Sequence, residues 1–375
     1  MSRYASIILI VTIGALLALG LVTLFSAEQV SLSHANFEGH LGWAAIGIVG
    51  CYILTMIDYR RWQIWAWPFF WVAAFLLLLC FAPGIGQESN GATRWIKVGY
   101  RFQPSELAKL AGVLFLAAWY AKHADRAGTT WFGFFLPGLS VSILVALIAA
   151  EVDIGAATLL GAVTGIIMLM AGVRFRWLIL GVVGAFSAIA SGIYLLPERT
   201  SRFMAFLNPE LHAKGDFWQQ GKGLEAFGVG GWDGVGLGNV IQYVKRLPYM
   251  ESDFIFPVIG GEFGLQVSLL VVLAYVTILI AGIIISLNAP DRFGTLLGSG
   301  LVGMIVIQAI IHMAVTTAVM PNTGLPLPFV SQGGTNLIVC FACIGLLLSI
   351  HRQAWSEPQF VAPQLKANLR ITPRL

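Results

Sequence analysis

The sequence predicts an all-α polytopic membrane protein of about ten transmembrane helices. Three observations carry that expectation. Hydrophobic residues make up 58% of the 375-residue chain and charged residues only 11%, against about 25% charged in a typical soluble domain. The apolar residues fall in continuous runs and do not alternate with polar ones, which excludes outer-membrane strands. Lysine and arginine are distributed unevenly between alternate loops, as expected of a protein with two aqueous faces. A soluble multidomain enzyme, a disordered chain and a disulfide scaffold are excluded by the same composition. A net charge of +4 gives no case for nucleic acid.

A span needs about 20 mostly apolar residues. Ten runs meet that length in chain order: 7–26, 41–57, 64–82, 104–121, 131–150, 154–172, 177–196, 263–287, 296–320 and 335–350. The first resembles a signal peptide, with Arg3 ahead of it, but it is longer than the roughly 7–15 residues of a signal core and reads as an uncleaved span. With the N-terminus inside, Arg3, Arg60, Arg61, Lys122, Arg126, Arg174, Arg176, Arg292, Arg352, Lys366, Arg370 and Arg374 fall on the inner face. The loops at 27–40, 151–153 and 321–334 carry no Lys or Arg. This pattern predicts both termini inside and an even number of spans. The expected organisation is one transmembrane domain over 1–375. It has a large outer loop at 197–262, between spans seven and eight, and an inner tail at 351–375.

Two outer loops break the charge pattern. The first, 83–103, carries Arg94, Lys97 and Arg101; the second, 197–262, carries Arg199, Arg202, Lys214, Lys222, Lys245 and Arg246. They are either merely solvated or positioned to meet an anionic ligand. Cys51, Cys80, Cys340 and Cys343 all fall in expected spans, where packing is the expected role. The glycine-rich stretch Gly228–Gly238 lacks dinucleotide-binding spacing and reads as a flexible or tightly turned loop.

Three polar segments stand at the outer ends of spans. Arg94-Trp95 leads to Gln103-Pro104-Ser105-Glu106 and then Lys109. Pro104 suits a first helical position, and Lys109 lies three residues from Glu106 on one helix face. The pair is either an intrahelical ion pair or the lining of an outward cavity. Asp253 stands where the polar loop meets the apolar run from Phe254. It is either a helix cap or a partly desolvated general base. The third segment, Pro321–Asn336, has three prolines and three glycines at membrane level. Irregular backbone there needs protein or a cavity to satisfy it. It contains Ser331, Gly333 and Gly334.

These motifs resemble the SEDS family (shape, elongation, division and sporulation). The residues that carry the resemblance are Arg94-Trp95, Phe102-Gln103-Pro104-Ser105-Glu106, Gly236-Leu237-Gly238-Asn239, Leu247-Pro248 with Asp253-Phe254, and Gly324 through Ser331 to Gly333-Gly334. Their order and spacing cover essentially the whole chain, and two of them look closer to the FtsW branch than to RodA. The resemblance implies a peptidoglycan glycosyltransferase that polymerises lipid II on the outer face of the bacterial cytoplasmic membrane. It implies work at the septum beside a class B penicillin-binding protein within the divisome or elongasome. By the same carry-over Asp253 is the catalytic base. Arg94, Arg101, Lys109, Lys245 and Arg246 are candidate substrate contacts by charge and by side of the membrane, and Trp95, Gln103, Ser105, Glu106, Ser331, Gly333 and Gly334 of the motifs are further candidates. The cations among them are candidates for the undecaprenyl pyrophosphate of the growing glycan. A divalent cation such as Mg or Mn is a candidate cofactor, though no ligand cluster marks a site.

The chain departs from the family pattern at several places. Pro248-Tyr249 stands for Pro-Glu, and Glu251-Ser252 for His-Thr. Ser331-Gln332 with Thr335-Asn336 replaces a Ser-Tyr-Gly-Gly-Ser-Ser pattern. Glu151-Val152-Asp153 replaces Gln-Pro-Asp. The competing functional readings are a lipid II flippase and a non-catalytic scaffold for the penicillin-binding protein.

Overall fold

The computed structural model describes residues 2–28, 36–89, 92–98, 100–195, 197–212, 215, 217–244 and 250–356. Helices dominate, in the order α1 (Ser2–Glu28), α2 (Phe37–Met56), α3 (Arg61–Leu79), α4 (Pro104–Lys122), α5 (Leu136–Ala150), α6 (Ile154–Ala171), α7 (Phe175–Leu195), α8 (Pro197–Leu207), α9 (Trp218–Gly230), α10 (Val240–Val244), α11 (Ile255–Leu287), α12 (Arg292–Thr316) and α13 (Gly334–Ser356). A π-helical turn at Trp131–Phe135 extends α5 backwards. Among the described residues, eight helices are long and apolar enough to cross a membrane: α1, α2, α3, extended α5, α6, α11, α12 and α13. Helices α4 and α7 stand where the other two expected spans lie. Helix α4 carries Glu106, Lys109 and Lys122, and α7 has a shorter apolar stretch at Phe175–Ser187.

The core is built around α4. It is buried from Pro104 to Tyr120 almost without interruption, and α12 is the next most enclosed span. Small residues make the close approach feasible, because helices in lipid associate through packing rather than through exclusion of water. A Cβ at Gly300 would lie 2.7 Å from Val113 and 2.8 Å from Ile167. The outward faces of α1, α2, α3 and α11 expose Ile, Val, Leu, Phe and Trp side chains, as lipid-facing surfaces do.

Loop 83–103 is more ordered than the sequence suggested. It forms a three-stranded antiparallel sheet, β1 (Gly86–Ser89), β2 (Ala92–Val98) and β3 (Tyr100–Phe102), with Gln87 opposite Trp95 and Ile96 opposite Phe102. The strands are short and mix polar with apolar residues, so no sustained alternating pattern announces them. The second loop is also structured, since it contains α8, α9 and α10. The eighth expected span begins at Ile255 instead of 263. Gly264, at φ 78° and ψ −176°, breaks α11 there. That backbone region is open essentially to glycine alone. Of the glycine-rich stretch, Gly228–Gly230 end α9, and the remainder is tightly turned: Val235 N–H donates to Gly261 O, and Gly236 N–H to Glu262 O, bracing this kink.

At one end of the helical body, Asp291 caps α12 and accepts from Arg60 Nε at 2.7 Å and Tyr59 OH at 2.6 Å. The candidate site lies at the opposite end, where α4, α6, α11 and α13 begin.

Candidate active site

Asp253 lies in the turn that leads into α11. The helix cap is Phe254, without a side-chain cap bond, so Asp253 does not spend its carboxylate on the helix. It is partly exposed, while its neighbours Glu251 and Phe254 are buried. Withdrawal from water raises its carboxyl from the usual range to about 6. The Glu251 and Asp153 carboxylates push the same way, and the Arg94 guanidinium and the Ser252 hydroxyl oppose them. The like-charge effect of Glu251 follows from its placement beside the base.

The proline-rich segment between α12 and α13 holds this turn. Gln332 N–H donates to Glu251 O at 2.8 Å. The Ser331 hydroxyl donates to Ser252 O at 2.7 Å and accepts from Leu327 N–H at 2.8 Å. Ser331 is buried, so it positions backbone and does not face outward. Gly324, at φ 67°, faces the base, and a Cβ there would sit 3.4 Å from Asp253 Oδ2.

The proline-rich segment is held from both sides. The Gln220 side chain donates to Val315 O and Met320 O, and Asn322 donates to Gln219 at 2.8 Å. Gln308 donates to Pro326 O, and His312 Nδ1 lies 2.7 Å from Leu325 O. These side chains satisfy irregular backbone that lipid could not. Gly334 opens α13 against Trp43, where a Cβ would come within 2.7 Å of the indole; a Cβ at neighbouring Gly333 would only touch Asn336 at 3.6 Å.

Arg94 is brought to the site by β2, which Ile96 anchors in the core. Its field reaches both Asp253 and Glu151. Trp95 beside it is half-buried. Gln103 Nε2 donates to Asp153 Oδ2 at 2.9 Å and to Ser105 Oγ at 3.0 Å; Ser105 in turn donates to Asp153 Oδ2 at 3.2 Å. Asp153 also caps α6 by accepting from Ala156 N–H. Gln103 and Ser105, expected as substrate contacts, thus orient Asp153. The sequence assigned Asp153 no task. Its signal was only an acidic residue just ahead of an apolar run, and its closeness to Asp253 exists in space alone.

Lys109 and Glu106 resolve towards the ion-pair alternative. Lys109 is 1% exposed. Its ammonium donates to Glu106 Oε1 at 2.8 Å and to Gln308 Oε1 at 3.1 Å. Glu106 Oε2 accepts from Asn336 at 2.8 Å. The network ties α4, α12 and α13 together and encloses the Lys109 ammonium. Arg101 belongs to β3. Lys245, Arg246 and Tyr249 lie outside the described residues.

No group of three or more His, Cys, Asp or Glu side chains among the described residues is arranged to hold a metal ion.

A family model described as cell cycle protein, covering FtsW, RodA and SpoVE, matches residues 3–356. A relative from Trichlorobacter lovleyi, named probable peptidoglycan glycosyltransferase FtsW, is 36% identical over 355 residues, 92% of each chain. A solved structure described as "Structural coordination of polymerization and crosslinking by a peptidoglycan synthase complex" superposes with a TM-score of 0.78 at 26% identity, covering 93% of this chain and 98% of that one. The rod shape determining protein RodA of Thermus thermophilus superposes with a TM-score of 0.69 at 27% identity, covering 93% and 97%.

Proposed function

The chain belongs to the FtsW, RodA and SpoVE family of cell cycle proteins, and from that membership we propose that it is a peptidoglycan glycosyltransferase with Asp253 as its general base. The substrate is lipid II, polymerised at the outer face of the bacterial cytoplasmic membrane. The partner is a class B penicillin-binding protein that crosslinks the product, in keeping with the likeness to a synthase complex. The relative named probable peptidoglycan glycosyltransferase FtsW, 36% identical, is in keeping with a septal role.

In this reading the acceptor lipid II brings the 4-hydroxyl of its GlcNAc to Asp253. The carboxylate takes the hydroxyl proton as the oxygen attacks the anomeric carbon of the chain-end MurNAc. The bond from that carbon to the pyrophosphate oxygen breaks, and undecaprenyl pyrophosphate leaves with the electron pair. An α-linked donor and a β-1,4 product require inversion, so no covalent glycosyl-enzyme forms. Arg94 stands beside the base, where its charge opposes the negative charge building on the leaving group. The observation that carries the proposal is Asp253 itself. It is a partly exposed carboxyl near pKa 6, free of capping duty and flanked by one arginine.

The test uses the purified protein with its cognate penicillin-binding partner and labelled lipid II in detergent. Glycan chains on a gel support the proposal. Lipid II translocation in vesicles without any polymer would replace it with a flippase.

A further inference from the structure

A groove of about 550 Å³ opens at the Arg60–Asp291 end of the helical body, where α2 runs into α3 beside α13. Tyr52, Ile53 and Met56 form its apolar wall, and Asp58, Arg61 and Gln353 form its polar rim. The three wall residues are exposed, on a face that lipid would cover. None of the six has a task in the mechanism above.

The local sequence builds the rim. Asp58 Oδ1 accepts from Arg60 N–H at 2.9 Å, and Arg61 N–H donates to Asp58 O at 3.1 Å, so the connection is one tight turn. The Arg60 side chain is taken up by Asp291, and Arg352 donates to Met56 O at 3.2 Å. Arg61 and Asp58 carry opposite charges in the same turn, yet no salt bridge joins them among the described residues. Arg61 is exposed and Asp58 half-buried. Trp65, one helical turn beyond Arg61, and Trp355, two residues beyond Gln353, are exposed as well. Indoles at helix ends mark the level of lipid headgroups.

The groove thus has an apolar wall where acyl chains run, and one cation and one carboxylate at headgroup level. A lone anion drawn to Arg61 would also meet Asp58, and like charge would oppose it. A headgroup with a phosphate and, a few bonds away, an ammonium satisfies both residues. A primary ammonium can also donate hydrogen bonds to the carboxylate, which a quaternary one cannot.

We propose that this groove binds a zwitterionic phospholipid with a primary ammonium, of the phosphatidylethanolamine class. The phosphate lies against Arg61 and the Gln353 amide, the ammonium against the Asp58 carboxylate, and one acyl chain along Tyr52, Ile53 and Met56. The site is at the opposite end of the bundle from Asp253 and does not depend on the polymerase reading.

Native mass spectrometry of the full chain tests it, with phosphatidylethanolamine, phosphatidylcholine and phosphatidylglycerol of the same acyl chains titrated in detergent. Wild type should hold phosphatidylethanolamine about tenfold more tightly than either of the others, the size expected of one charge-assisted hydrogen bond. Asp58→Asn keeps an oxygen for Arg60 N–H and loses the charge, so it should bind phosphatidylethanolamine and phosphatidylcholine equally. Arg61→Gln should weaken all three lipids by about tenfold, through loss of the bond to phosphate. Equal binding of the three lipids by wild type overturns the proposal whether or not the variants fold, and so does a preference that survives Asp58→Asn. Tightest binding of phosphatidylglycerol would make the groove an anion site and overturn it too. Binding of phosphatidylethanolamine only after truncation at Ser356 would show the chain's own tail to be the occupant, and would equally overturn it.

Discussion

The Ser331 hydroxyl donates to the carbonyl oxygen of Ser252 across 2.7 Å, and this bond fixes the residue next to the proposed base against a turn 79 positions further along the chain. The Ser331 Oγ also accepts from Leu327 N–H, so one buried hydroxyl closes both turns. Ser331→Ala leaves a buried carbonyl and a buried amide unpaired, at a cost of about 1–3 kcal/mol for each such group. The turnover of lipid II should fall about tenfold or more with little change in its binding, because the loss is of placement rather than of contact. Single-turnover kinetics alongside a binding isotherm would show it; weaker binding at unchanged turnover would point instead to direct contact.

Gly324 approaches Asp253 with a backbone angle that side chains resist. Gly324→Ala meets a conformational cost of about 1–2 kcal/mol and places a methyl 3.4 Å from the carboxylate. Polymerisation should drop while the helical circular dichroism remains. An Ala variant with full activity would show that the base does not depend on this approach.

The Lys109–Glu106 pair is enclosed on all sides. Removing one partner strands the other charge, at about 3–5 kcal/mol, so Lys109→Met should lower the melting temperature in detergent sharply. The double variant Lys109→Met with Glu106→Gln should recover much of that loss and regain polymerisation. A double variant that melts normally but makes no polymer would return Lys109 to the list of substrate contacts.

Val152 joins the two acids Glu151 and Asp153 at φ 66°, a region that β-branched residues rarely enter. Val152→Gly should raise the melting temperature by relieving about 1–2 kcal/mol of strain. Val152→Pro, which restores the family residue, should lower it, because proline is fixed near φ −65° and would displace the Asp153 cap. Thermal unfolding of both variants followed by intrinsic tryptophan fluorescence decides the point.

The helical body was legible because lipid imposes a length and a composition that few other environments do. Eight of the expected spans reappear as apolar helices, and α1 and α12 start within about four or five residues of expectation. The outer layer was not legible in the same way. The sheet that delivers Arg94 is made of short polar strands, and Gln103 and Ser105 look like surface contacts until Asp153 is seen to bind both. Asp253 itself was ambiguous by position. Family resemblance singled it out, and the cap position of α11 belongs to Phe254. Glu151 carried no sequence signal beyond a departure from a motif, since its burial comes from α3, β2 and α6 closing around it.

The most direct test of Asp253 as the base is the pH–rate profile of lipid II polymerisation between pH 4.5 and 7.5, run beside Asp253→Asn. A base that titrates near 6 is protonated and idle below that pH, so the wild-type rate should rise about tenfold per unit up to roughly pH 6 and then level. The Asn variant, which keeps the shape and cannot accept the proton, should make no polymer across the range. Polymer from Asp253→Asn at a rate near wild type, or a wild-type profile flat from pH 5 to 7, would contradict the assignment.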